Sequence, residues 1–185
     1  METADDARWW HIVWTTYLSW PPHDRRGDWK ALAKFYENLR TTSRDIEMSR
    51  TLPVYRHADS LIRSGIMLTT DARNRLNQDI RELTTTQGDR VAGNLLVTGL
   101  AIEPTAVHLV LSCSEASLSQ RVGRLKSRSA TLLSFRPELG VGGSQTWGRG
   151  FWWARLPSED VAALVSSFLK NKIDNRAVEE DTHSE

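Results

Sequence analysis

Residues 104–113, Pro-Thr-Ala-Val-His-Leu-Val-Leu-Ser-Cys, constrain this chain more than any other stretch. They form an apolar, β-branched run interrupted by one imidazole and opened by a proline, the pattern of a buried strand. Alternation along a strand puts Val107, Leu109 and Leu111 on one side and Ala106, His108 and Val110 on the other. Such a strand belongs in the centre of a sheet, and the remaining segments can be arranged around it.

Upstream, residues 9–17 are rich in aromatic and β-branched side chains and read as a first strand. Pro21-Pro22 ends it, and 23–27 reads as a loop. A short helix is expected over 28–40, from Leu32, Phe35, Tyr36 and Leu39, with extended chain over 41–57. Ala72, Leu76, Ile80 and Leu83 recur at helical spacing behind Thr70, a suitable N-cap, giving a helix over 70–86. Residues 90–102 read as a strand in which Gly93 and Gly99 mark bulges or close backbone approach. Pro104-Thr105 then turns the chain into a hairpin with the histidine strand. A helix follows over 117–135, with Leu118, Val122, Leu125 and Leu132 as its apolar stripe. Gly140–Gly143 is a loop, 150–155 a strand, and Ser158 caps a last helix ending near Ile173. The order matches an α+β, ferredoxin-like split β-α-β-β-α-β plan: a central antiparallel sheet with helices on one face, plus a C-terminal helix. One domain over 9–173 is expected, with a disordered start over 1–8 and an acidic, disordered tail over 174–185.

Composition narrows the function classes. A hydrophobic content of 39% supports an ordinary core, and a net charge of +1 means that any basic surface must come from local clustering. A single cysteine, Cys113, rules out an internal disulfide framework or a cysteine-rich zinc site and reads as a small buried hydrophobe. No apolar run approaches the roughly 20 residues of a membrane span, and the acidic start lacks the features of a secretory signal, so a cytoplasmic setting is expected. Arg121, Arg124 and Arg128 fall at i, i+3 and i+7 on one helix face, with Lys126 and Arg149 assigned to the same phosphate-binding surface. Of the eight tryptophans, Trp147 and Trp152 are read either as base-stacking groups or as core, with core favoured.

Four pieces in order carry a resemblance. They are the opening 10–29, Trp-His-Ile-Val-Trp-Thr-Thr-Tyr-Leu-Ser-Trp-Pro-Pro-His-Asp-Arg-Arg-Gly-Asp-Trp; the helix at 70–86 leading to a strand; Pro104 to Leu111; and Lys126-Ser-Arg-Ser-Ala with Trp147-Gly-Arg-Gly-Phe-Trp-Trp. Over 9–173 the chain resembles the insertion-sequence-200-like transposases associated with repetitive extragenic palindromes, the single-tyrosine branch of the HUH superfamily. The resemblance implies a His-hydrophobic-His strand which, with a polar residue of the last helix, holds Mg²⁺ or Mn²⁺ to polarise a scissile phosphate. It also implies a tyrosine of that helix as nucleophile on single-stranded DNA beside a hairpin.

This sequence departs from that pattern at each chemical position. Ala106 stands at the first histidine, leaving His108 as a vestigial ligand; Phe168 stands at the nucleophile and Lys172 at the helix ligand, with Asn171 one residue away. A phenyl ring has no hydroxyl, and a lysine opposes a divalent cation. The reading is therefore a transposase-like protein that binds single-stranded or hairpin DNA without cutting it, needs no cofactor, and is a monomer or homodimer without membrane attachment. Two alternatives stay open. One is an active Mg²⁺- or Mn²⁺-dependent transposase using a displaced tyrosine, Tyr17, Tyr36 or Tyr55. The other is a protein-interaction module that no longer binds DNA. His11, on the first strand, is a possible cross-strand neighbour that would partly rebuild a metal site if it faced His108.

Overall fold

A computed structural model describes residues 7–16, 28–49, 66–85, 95–139 and 146–182. The elements are β1 (Ala7–Thr15), α1 (Asp28–Thr42), β2 (Glu47–Met48), α2 (Thr70–Thr85), β3 (Leu96–Ile102), β4 (Ala106–Ser114), α3 (Glu115–Ser134), a 3-10 turn (Pro137–Leu139), β5 (Trp152–Leu156) and α4 (Glu159–Thr182). The expected loops at 23–27 and 140–143, together with Gly93, Tyr17, Tyr55, His23 and His57, lie outside the described residues.

The five strands form one sheet in the order β2-β5-β1-β4-β3, every pairing antiparallel. Without β2 this is the split plan expected from sequence: β3 and β4 are hairpin partners, and β1 sits between β4 and β5, both far downstream. Glu103 N–H donates to the Ala106 carbonyl at 2.8 Å and closes the Pro104-Thr105 turn. Polar 41–57 was expected to be extended loop, yet Glu47 and Met48 pair with Arg155 and Ala154, adding a short edge strand; Arg155 also forms an ion pair with Glu47.

Helices cover both faces of the sheet, not one. Trp10, Ile12 and Trp14 of β1 and Val107, Leu109 and Leu111 of β4 pack with Ala72, Leu76 and Ile80 of α2 and Leu118, Val122, Leu125 and Leu133 of α3. On the opposite face Val13, Ala101, Ala106, Val110, Trp152 and Ala154 meet Leu32, Tyr36 and Leu39 of α1 and Val161, Ala162, Val165 and Leu169 of α4. The reason lies in β4 itself: both of its faces are apolar, and each needs a cover. Each fully buried Leu, Ile or Val contributes about 1.5–3 kcal/mol, so a sheet bare on one side would leave several such terms unused.

Local signals explain the helix ends. Ser114 Oγ accepts from Ser117 N–H at 3.3 Å to start α3, and Ser158 Oγ accepts from Val161 N–H at 3.3 Å to start α4. On α2 the cap is Thr69, whose Oγ1 accepts from Ala72 N–H at 3.2 Å; the expected Thr70 is one residue inside the helix. Leu132 is only half-buried, and the stripe of α3 runs instead through Ser129 and Leu133. The last helix continues nine residues past 173 to Thr182, because 174–182 contains neither proline nor glycine to stop it. Gly99 meets both expectations: the β3–β4 register shifts between Val97 and Gly99, and a Cβ there would lie 2.6 Å from Ser166 Oγ of α4.

Candidate functional site

The β1–β4 register decides what surrounds His108. Val13 stands opposite His108 and His11 opposite Val110, so the two histidines are diagonal neighbours on one sheet face. Both are completely buried, His11 at 0% and His108 at 1% exposure. His11 Nε2 lies 3.2 Å from His108 Nδ1, and His11 Nδ1 lies 2.7 Å from the Tyr36 hydroxyl of α1. On the far side of His108, Nε2 is 3.7 Å from Glu103 Oε2 in the β3–β4 turn. With both imidazoles neutral, one ordering uses each group once: Tyr36 O–H donates to His11, His11 to His108, and His108 points its N–H at the carboxylate. Burial raises the Tyr36 phenol well above its ordinary range, which keeps it a protonated donor at the head of this chain.

Aromatic rings close the space around these groups. Phe168 of α4 stacks on Phe35 of α1 at 4.1 Å between centroids, and Phe35 meets Tyr36 edge-on at 5.7 Å. Tyr36 and His11 are stacked at 5.8 Å, His11 and His108 at 5.4 Å, and Trp152 packs edge-on to both His11 and Tyr36. The fold therefore places Phe168, far downstream in sequence, on the same sheet face as Ala106 and His108 of β4, the face covered by α1 and α4. Asn171 is exposed, and Lys172 lies in the helical stretch beyond the side chains described.

The residues present do not fit the divalent ion that the resemblance implies. Ala106 offers a buried methyl group. His108 Nδ1 faces His11, while Glu103 approaches the opposite nitrogen of the same ring, so His11, His108 and Glu103 do not converge on one point. Among the described residues, no three His, Cys, Asp or Glu side chains are grouped to hold a metal.

A second constellation lies on α3. Lys126 donates from Nζ to the carbonyls of Gly148, at 2.8 Å, and of Gly150. Gly150 adopts φ +69°, and Gly148 N–H donates to the Thr15 carbonyl at 2.8 Å, so the 148–150 segment is strapped between α3 and the end of β1. Trp147 is buried, edge-on to Trp14 at 6.1 Å, and donates from Nε1 to Ser129 Oγ at 3.1 Å. The Lys126–Ala130 and Trp147–Trp153 pieces, separate in sequence, thus touch. Trp147 and Trp152 are both core. Burial lowers the Lys126 ammonium to about 8.

The five basic residues grouped from sequence do not share one face. At 100° per residue Lys126 lies about 140–160° around α3 from Arg121, Arg124 and Arg128. Its ammonium is bound to backbone carbonyls. Arg149 is exposed beside Lys126, Arg124 and Arg128 are exposed on the other flank, and Arg121 is half-buried there.

No protein-family model and no curated protein matches the chain. Among solved structures it is similar to a REP-associated tyrosine transposase bound to a REP hairpin, with 11% identity and a TM-score of 0.38, covering 88% of this chain and 64% of that one. It is also similar to a candidate transposase from Deinococcus radiodurans R1, with 14% identity and a TM-score of 0.32, covering 92% and 97% of the two chains. The chain spans less than two thirds of the first of these. The fold described above stands on its own strand order and register.

Sequence reasoning missed Tyr36 and Glu103 as members of the buried chain. Tyr36 shows as one apolar position of a helix and as one of three tyrosines open to a displaced nucleophile's role, and Glu103 only as a turn residue. Nothing local to either reports the β1–β4 register that gathers them.

Proposed function

We propose that the protein is a transposase-like DNA-binding protein that holds structured single-stranded DNA without cleaving it. The carrying observation is the ring-to-ring packing from Phe168 through Phe35 and Tyr36 to His11 and His108. Strand transfer needs a hydroxyl aimed at phosphorus and positive charge against the phosphate oxygens. Here the nucleophile position is a stacked phenyl ring, and the ligand position is a buried methyl. Tyr36 has a hydroxyl near the imidazoles, but it is buried and hydrogen-bonded to His11 Nδ1, which argues against its serving as a displaced nucleophile. No divalent cofactor is part of this reading. DNA affinity is assigned to Arg121, Arg124 and Arg128, with Arg149 as a separate outlying contact.

The test uses labelled hairpins with single-stranded flanks, incubated with Mg²⁺ or Mn²⁺. The expected result is salt-sensitive binding, weakened equally for all sequences by joint Arg124→Glu and Arg128→Glu, and no covalent adduct on denaturing gels. A protease-sensitive shifted band mapping to Tyr17, Tyr36 or Tyr55 would overturn the non-cleaving reading. Absence of DNA binding at low salt would overturn the DNA reading and favour a protein-interaction module.

A further inference from the structure

Phe135 is the most exposed large apolar side chain described, at 78%, and it stands at the C-cap of α3. Carrying the 100° step onward from Arg121 puts Arg124 at about −60°, Arg128 at about −20° and Phe135 at about −40°. The ring therefore ends the arginine row. At 1.5 Å per residue it lies about 10 Å beyond Arg128 along the axis. Glu115, at its start, is the one acidic residue of α3.

The position of Phe135 is also fixed. The adjacent Arg136 forms a two-pronged ion pair with Asp79 of α2, and Arg75 approaches the same carboxylate at 3.3 Å. Asp79 is buried, so this clamp sits in low dielectric next to a ring left in water. Arg136 N–H donates to the Leu133 carbonyl at 3.0 Å, and Phe135 N–H donates back into the last turn. A solvent-facing ring on an anchored stretch of backbone at the end of a cationic row is the arrangement that holds unpaired nucleotides: phosphates follow the charges, and a base lies on the ring whatever its identity.

We propose that Phe135 is a base-stacking platform, so that this flank of α3 takes a single-stranded DNA segment, with phosphates on Arg121, Arg124 and Arg128 and one unpaired base on the ring. This rests on the DNA-binding reading above and adds a residue and a ligand feature to it. The probe is a fluorescein-labelled hairpin with a five-nucleotide thymidine flank, compared with the same hairpin made blunt and with one whose flank is abasic. Phe135→Ala and Phe135→Leu are expected to weaken binding to the flanked hairpin about 5- to 150-fold, and Phe135→Trp to restore it. The blunt and abasic probes should show no dependence on residue 135. The salt slope should stay unchanged in Phe135→Ala and fall in the Arg124→Glu, Arg128→Glu pair.

If the arginine reversals weaken binding while Phe135→Ala binds all three probes like wild type, the stacking proposal fails and the DNA reading survives. If wild type binds none of the probes at low salt, both fail. Loss of self-association or of binding to phosphatidylserine vesicles in Phe135→Ala, with affinity for the flanked hairpin unchanged, would reassign the ring to a protein or membrane contact.

Discussion

At the scale of single residues, the buried chain from Tyr36 to Glu103 shows how polar groups survive inside an apolar core. Each imidazole nitrogen of His11 faces a partner within hydrogen-bond distance, so desolvation is offset. Removing the hydroxyl breaks the sequence at its head. Tyr36→Phe keeps the ring packed between Phe35 and His11 yet takes the hydroxyl from His11 Nδ1. We expect a loss of about 1–3 kcal/mol in urea unfolding, with the slope unchanged. A variant as stable as wild type would mean that His11 is satisfied without Tyr36. His108 was legible from sequence as a buried imidazole. Of its partners, His11 was legible as a possible cross-strand neighbour; Tyr36 and Glu103 were not, because their approach depends on register and helix packing, which no local pattern encodes.

At the scale of elements, most helices and strands were legible, because capping residues and apolar spacing are local. Ser158 and the stripes of α2 and α3 carry them. What the sequence hid is pairing to distant edges, such as β2 on β5, and the second helical layer. Lys126 belongs at this scale, since it straps α3 to the 148–150 segment. Its folded pKa of about 8 lies below the ordinary 10.5. Between those values the unfolded chain holds a proton that the folded one has released, so folding gains stability as pH rises through that window. The neutral amine still donates to both carbonyls. Wild type should therefore become more stable relative to Lys126→Met from pH 8 to 10.5, by about 1–3 kcal/mol. A flat difference across that range would show that the ammonium remains as well solvated in the fold as in the unfolded chain.

At the scale of the whole molecule, the architecture is two helical layers around a sheet whose middle strand is the first one made. β3, β4 and α3 are consecutive and the β3–β4 pairing is local, whereas β1 joins partners far along the chain. Local contacts form at lower loop-closure cost, so the hairpin and α3 should be structured in the folding transition state before β1 docks. Chevron analysis should then give higher φ values at Leu109 and Leu125 than at Ile12. Ile12→Val should act chiefly by speeding unfolding. The reverse ranking would place β1 in the nucleus.

The central place of β1 also sets a timetable in the cell. Its second neighbour, β5, begins at Trp152, roughly 140 residues after β1 ends at Thr15. At about 5–20 residues per second, a ribosome needs on the order of 7–30 s to supply that partner. For that interval a tryptophan-rich strand waits with at least one edge open, the kind of segment that chaperones recognise and that pairs with neighbouring chains when they are crowded.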